Sequence, residues 1–590
     1  MKKLSFVAAL VVTSITVLSP ERSFSQEPHH PRVTVLHPGF DSLKADLKSI
    51  IDLTNETEQE QWVNLNDYID MFQIGIDGGR PVRVDVLTGM TPTGYLIWIP
   101  LAPPEGKSSL GDEFRDNLDA LGYSTVRDPQ ERTLYSVQVV EGPETDGGWM
   151  RVIPDLKYAV LTLTTSTSNL PILRQLMMKA GDPLKDVENL LGDNGAMAAE
   201  LVNSAQTSED MEKRVTAFAE LRRVTMDTIQ KRPAESTTEF ELRQALMQHQ
   251  LNELQRLMVQ ASEIRATLNV DRSDHKAALG LTAKAIPGTD LAETIAEFDT
   301  QPDAFDGIAP LKDSALSVRV NHPLDKMRQG HANETLDLIK KDLDSRIEAD
   351  KDLNDAQRTA TRQLLDGLMN LTKDGIATGY INAMVESSPV GDGKFNTVAC
   401  LSAPNATRLN ELLPLLKDAG NGNTVETNVE TVGKVVIHRV QLAEGYIGIV
   451  DRFFGANQAL LVGVADNHVW LASGPDASAT LKSVIESLGE PARNGVVAHI
   501  ELRGLPWVQH FQEVAKTGTD EGKTPEEKEA RRAMERTRLR AIDAMKGNDD
   551  MVVFDVKVAD SVVNIDLTME TGILRFAGKM AAAFSKENFE

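Results

Sequence analysis

The stretch NGAMAAEL, Asn194 to Leu201, returns as NGVVAHIEL, Asn494 to Leu502, and the two glycines stand 300 positions apart (495 less 195). A chance echo leaves one large domain, whereas recurrence in register makes the chain a tandem duplication. Length favours the second, because a hydrophobic core stops growing at about 250–300 residues and this chain has 590.

The echo extends in order along both halves. YLIWIPL (95–101) answers FNTVACL (395–401) as apolar strands, each followed by an amphipathic helix that ends at Gly122 or Gly420. TLYSVQVV (133–140) answers KVVIHRVQL (434–442), and each is followed by a hairpin, WMRVIPDLKYAVLTL or ALLVGVADNHVWLAS. A short helix and the opening stretch come next. A long polar-amphipathic helical region then spans about 209–262 and about 508–546, with a last hairpin and helix after it. At the front, VTVLHPGFDSLKADL (33–47) answers LSVRVNHPLDKMRQG (316–330), each read as strand, His-Pro turn and helix. This preserved order predicts an α+β fold: a tandem duplication of a module with antiparallel sheets, hairpins and covering helices. Module 1 spans 33–298 and module 2 spans 315–586, and the Pro-, Asp- and Gly-rich stretch 299–314 reads as linker.

Residues 1–25 read as a signal peptide, with Lys2 and Lys3, the apolar run LSFVAALVVTSITVL, and small Ser23 and Ser25 before Gln26. The run is shorter than the roughly 20 residues a spanning helix needs, so cleavage leaves no transmembrane span. Residues 26–32 then form a flexible start, and the mature protein is expected in the periplasm or outside the cell. A single cysteine, Cys400, excludes an intramolecular disulfide, and its place in NTVACL reads as a small buried hydrophobe rather than a nucleophile. The formal charge is −25, and loss of Lys2, Lys3, Glu21 and Arg22 with the leader takes it to −27. Such a surface repels nucleic acid and anionic lipid, so no nucleic-acid partner is expected. EEKEARRAMERTRLRAID mixes both signs at helical spacing and reads as a solvated, ion-paired helix face.

The candidate site residues lie at the paired His-Pro turns: His37 with Asp41, and His322 with Asp325. A histidine with a carboxylate three or four residues on, at a strand end, can bind a metal or polarise a substrate. The alternative is that Pro38 and Pro323 start helices and that the two acids suit a first helical turn. One histidine per turn is too few for zinc, so neither metal nor cofactor is expected. HHP, His29 to Pro31, falls in the flexible start. SDHK (273–276) has the serine-to-lysine spacing of penicillin-recognising enzymes but falls in a hairpin turn instead of at a helix start. Trp98, Trp149, Trp470 and Trp507 could stack on sugars, yet Trp98 and Trp470 lie in apolar runs that suit a core. The sequence holds no Walker loop, dinucleotide fingerprint, G-x-S-x-G elbow, H-E-x-x-H or EF-hand loop.

With its leader, its paired α+β halves, AKAIPGTDLAETIAEF and SALSVRVNHPLD, the chain resembles large secreted proteins of planctomycete-like bacteria of uncharacterised function. The resemblance covers nearly the whole mature chain. It implies export, and it brings no catalytic residues to carry over. The expected function is an exported, non-catalytic binding or assembly protein whose partner is a protein or a small molecule. The alternatives are an exported hydrolase whose polar residues converge only in three dimensions, and a structural component of the cell envelope. Carboxylates and histidines gathered in one deep pocket would mark the hydrolase, and apolar surface the binding protein.

Overall fold

The computed structural model describes residues 32–589 apart from 88–93, 105, 107, 141–146, 165, 186, 193–194, 234, 299, 312, 421, 443–449, 457 and 517–523. The leader at 1–25 and residues 26–31, with HHP, lie outside the described residues. Arg32, read as part of the flexible start, already belongs to the first strand. Helices and antiparallel strands are interspersed along the chain, which makes the fold α+β.

Two compact units divide the chain. One gathers the described residues of Met1–Thr228, Glu253–Leu291 and Ala577–Glu590; the other gathers Ile229–Asn252 and Ala292–Phe576. These units differ from contiguous halves in two stretches, 229–252 and 577–590.

The first unit contains β1 (Arg32–His37), β2 (Val82–Leu87), β3 (Gly94–Pro100), β4 (Tyr123–Arg127), β5 (Leu134–Val139), β6 (Gly147–Ile153), β7 (Tyr158–Thr164), β8 (Gly195–Val202), β9 (Ala261–Asp271) and β10 (Lys276–Ala285). They pair antiparallel in the order β10-β9-β8-β1-β2-β3-β7-β6-β5-β4. Side chains alternate across a strand, so β3 sends Ile99 to one core with Phe114 and Met150, and Trp98 to another with Tyr158 and Leu173. The Ala-rich AMAAEL has helical propensity, but it forms β8 because β1 and β9 supply hydrogen-bond partners on both edges.

The second unit contains β11 (Leu316–Pro323), β12 (Tyr380–Gly391), β13 (Lys394–Ser402), β14 (Thr424–Val432), β15 (Val435–Gln441), β16 (Leu460–Val464), β17 (His468–Ser473), β18 (Val496–Arg503), β19 (Met551–Ala559) and β20 (Val562–Met569). Their antiparallel order is β20-β19-β18-β11-β12-β13-β17-β16-β15-β14. Phe305 and Ile308, from the stretch read as linker, are buried in this unit's core beside Trp470 and Leu481. Asp303 also pairs with Ala492, and Ser314 donates to the buried carboxylate of Glu386. The stretch is thus part of a folded core. Its Pro, Asp and Gly content marks turns between packed residues.

A candidate apolar binding cavity

A cavity of about 370 Å³ lies in the first unit between one face of the sheet and three helices. Each wall follows from the period of its element. On the strands, alternation aims Val35 and His37 of β1, Val82 and Val84 of β2, and Met197 of β8 at the cavity. The opposite face of β1 carries Leu36, which is fully buried against Val187, Leu190 and Leu191. In the helix Phe40–Ile51, Phe40, Leu43 and Leu47 form a stripe at positions i, i+3 and i+7; in the helix Trp62–Gln73, Leu65, Tyr68, Ile69 and Phe72 do the same. Ala581 and Phe584 of the C-terminal helix Thr571–Phe589 complete the lining.

Among the described residues the lining includes no Lys, Arg, Asp or Glu, and its polar side-chain groups are the imidazole of His37 and the hydroxyl of Tyr68. The Tyr68 ring meets Phe72 edge-on, with centroids 5.1 Å apart. His37 ends β1 opposite Val82. Its Nδ1 accepts a hydrogen bond from the Gly39 amide at 3.0 Å. Burial pushes its pKa down to about 4, because a desolvated imidazolium loses its hydration without gaining a counter-charge. The ring is therefore neutral at pH 7, and with Nδ1 accepting, its proton sits on Nε2.

The other three candidates are placed differently. Asp41 is exposed: it accepts from Gln73 Nε2 at 3.0 Å and lies 3.6 Å from Lys44 Nζ, while its own amide donates to the Gly78 carbonyl at 3.0 Å. Asp41 thus braces the turn outside the cavity and leaves His37 alone. His322 shares a 2.6 Å hydrogen bond between Nδ1 and the Pro323 carbonyl and packs edge-on against Phe298. Asp325 is the N-cap of the helix Lys326–Ala349, accepting from the Arg328 amide at 2.9 Å and from Thr294 Oγ1 at 2.7 Å. Neither proline starts a helix: Pro38 precedes the cap residue Gly39, and Pro323 closes β11. Among the described residues no group of three or more His, Cys, Asp or Glu is placed to hold a metal ion.

A second cavity of the same unit, about 320 Å³, is polar, with Arg32, Arg83, Lys179 and Lys185 facing Asp85 and Asp182. The Asp85 carboxylate already takes donors from Arg83 Nε at 2.9 Å, Thr34 Oγ1 at 3.0 Å and Trp98 Nε1 at 2.9 Å. That holds Trp98 in place and leaves Asp85 poorly set to accept a proton from a substrate. In the hairpin turn, Ser273 of SDHK donates its hydroxyl to Asp271 Oδ1 at 2.6 Å. Cys400 is buried beside Met384 and Trp470, and burial raises its pKa far above the ordinary thiol value.

Sequence reading singled out His37 but not the walls around it. The signal was present in FDSLKADL and LNDYIDMF, whose apolar stripes recur at helical spacing. Such stripes ordinarily fill a core, and only the three-dimensional spacing of the helices reveals a hollow. Comparison with models of protein families, with curated proteins and with solved structures finds no match to this chain.

Proposed function

We propose that this chain is an exported, non-catalytic binding protein built from two duplicated modules and active outside the cytoplasm after its leader is removed. The cavity of about 370 Å³ carries the reading: it falls within the size range of small-molecule sites, is walled by apolar side chains, and presents few polar groups. Duplication is supported by the strand orders, which match element for element when ten is added to each label. NGAMAAEL and NGVVAHIEL become β8 and β18, each between the first strand of its half and the first strand of the late hairpin.

The test is uptake of an apolar solvatochromic dye by the purified chain from Gln26 onward, followed by fluorescence and titration calorimetry. Saturable binding of one dye per chain is expected, and it should weaken when Met197 is replaced by Trp to fill the cavity. If no dye enters, or if it binds equally well after that substitution, the binding reading fails.

A further inference from the structure

We propose that this cavity takes the linear aliphatic chain of an uncharged lipid, with the Nε2–H of His37 donating to its ester or ketone carbonyl oxygen. The inference rests on the reading of the chain as a binding protein and adds the chemical class of the ligand.

Size gives the first constraint. A methylene occupies about as much space as a water molecule, roughly 30 Å³, so a cavity of about 370 Å³ holds an alkyl chain of about twelve carbons. Flexible aliphatic and aromatic walls such as Leu43, Leu65, Phe72 and Met197 suit such a chain, which gains affinity with every methylene removed from water.

Charge gives the second. No cationic side chain lines the cavity, and a carboxylate or phosphate held there would be stripped of water without a partner. The surplus of acidic residues in the chain adds a long-range penalty of the same sign.

Hydrogen bonding gives the third. The Gly39 amide occupies Nδ1 of His37, so Nε2 is the ring atom that carries the hydrogen and needs an acceptor. A carbonyl oxygen supplies one without bringing a charge. A hydrocarbon with no acceptor fills the same space but leaves that donor unmatched.

The experiment displaces the apolar dye from the chain beginning at Gln26 with methyl laurate, laurate or dodecane at pH 8. Methyl laurate is expected to bind about tenfold more tightly than dodecane, the worth of one net hydrogen bond, and at least about tenfold more tightly than ionised laurate. His37→Leu should bring methyl laurate to the level of dodecane while dodecane itself is unchanged. His37→Gln, which retains an N–H donor, should recover part of the difference and guards against a folding artefact. Equal or tighter binding of laurate, an ester affinity indifferent to His37→Leu, or failure of all three to displace bound dye would each overturn the assignment and leave the binding reading standing. Failure of the dye itself to bind would instead sink the binding reading.

Discussion

His37 and Cys400 show how one term, desolvation, sets the chemistry of a side chain from its surroundings. Burial lowers His37 to about 4, so between that value and the ordinary 6.5 the native state binds fewer protons than the unfolded chain. Stability conferred by the neutral ring is present above pH 6.5 and is lost as the pH falls toward 4. The full loss is about 3 kcal/mol, lowered by solvent at the half-buried ring. Burial also lowers His438 and His468, so the informative quantity is the difference between the native chain and His37→Leu. Denaturant melts at pH 7 and pH 5 should show a smaller loss of stability in the variant; equal losses would mean that His37 does not titrate as described. For Cys400 the same term acts on a thiol, and a thiol reagent should label it only after the chain unfolds. Mass spectrometry of native and denatured samples checks this, and rapid native labelling would contradict the burial. Both residues were legible in the sequence in part. NTVACL announced a buried cysteine, whereas HPGFD suggested a His-carboxylate pair that the turn at Gly39 separates.

Elements were more legible than their neighbours. The capping pattern TPEE gives Thr524 as the cap of the helix Pro525–Ala544, with Thr524 Oγ1 accepting from the Glu527 amide and the Glu527 carboxylate accepting from the Thr524 amide. The mixed charges of that helix meet as Arg536–Glu529 at 2.9 Å. Hairpins likewise announced themselves by local turns. Strand order did not, because the pairings of β1 with β8 and of β3 with β7 join segments far apart in sequence. Nor did composition reveal that Glu386 of β12 is fully buried. It accepts from Arg319 at 2.8 Å, Ser317 at 2.6 Å and Ser314 at 3.0 Å. Removing one partner of such a pair strands the other charge, so Glu386→Ala should cost about 3–5 kcal/mol in chemical denaturation. Replacing Glu386 and Arg319 together by Met should cost much less; a double variant as weak as the single one would show that the charges act separately. At the cavity, Gly39 has φ 131° and leads into the helix of Phe40, and a Cβ there would strike the Gly78 and Arg80 carbonyls. Gly39→Ala should therefore cost about 1–3 kcal/mol and weaken dye binding, whereas Gly122→Ala, with open space around its Cβ, should leave dye binding intact.

At the scale of the whole chain, the sequence presents two consecutive halves, yet the first compact unit also takes in Ala577–Glu590 from the far end. No local pattern announces this, because the last helix reads simply as the close of the second half. Its attachment is specific. Lys579 is buried with its Nζ 2.9 Å from Glu58, Ser585 Oγ donates to the Gln61 carbonyl at 3.2 Å, and Gly578 approaches Ile50 so closely that a Cβ there would stand 2.6 Å from its carbonyl oxygen. Ala581 and Phe584 of the same helix wall the cavity. A chain ending at Phe576 removes the Lys579 partner of Glu58, exposes apolar side chains on the helices Phe40–Ile51 and Trp62–Gln73, and opens one side of the cavity. The buried pair alone predicts a loss of about 3 kcal/mol or more, and dye binding should fall with it. A synthetic peptide of residues 571–590 added to the truncated chain should restore binding in a saturable way, because the docking contacts are those of the helix itself. The peptide with Gly578→Val should fail to do so, since the added side chain meets the Ile50 carbonyl. Unchanged melting and dye affinity after truncation would show that residues 33–298 are self-sufficient and that the C-terminal helix contributes nothing to the first unit.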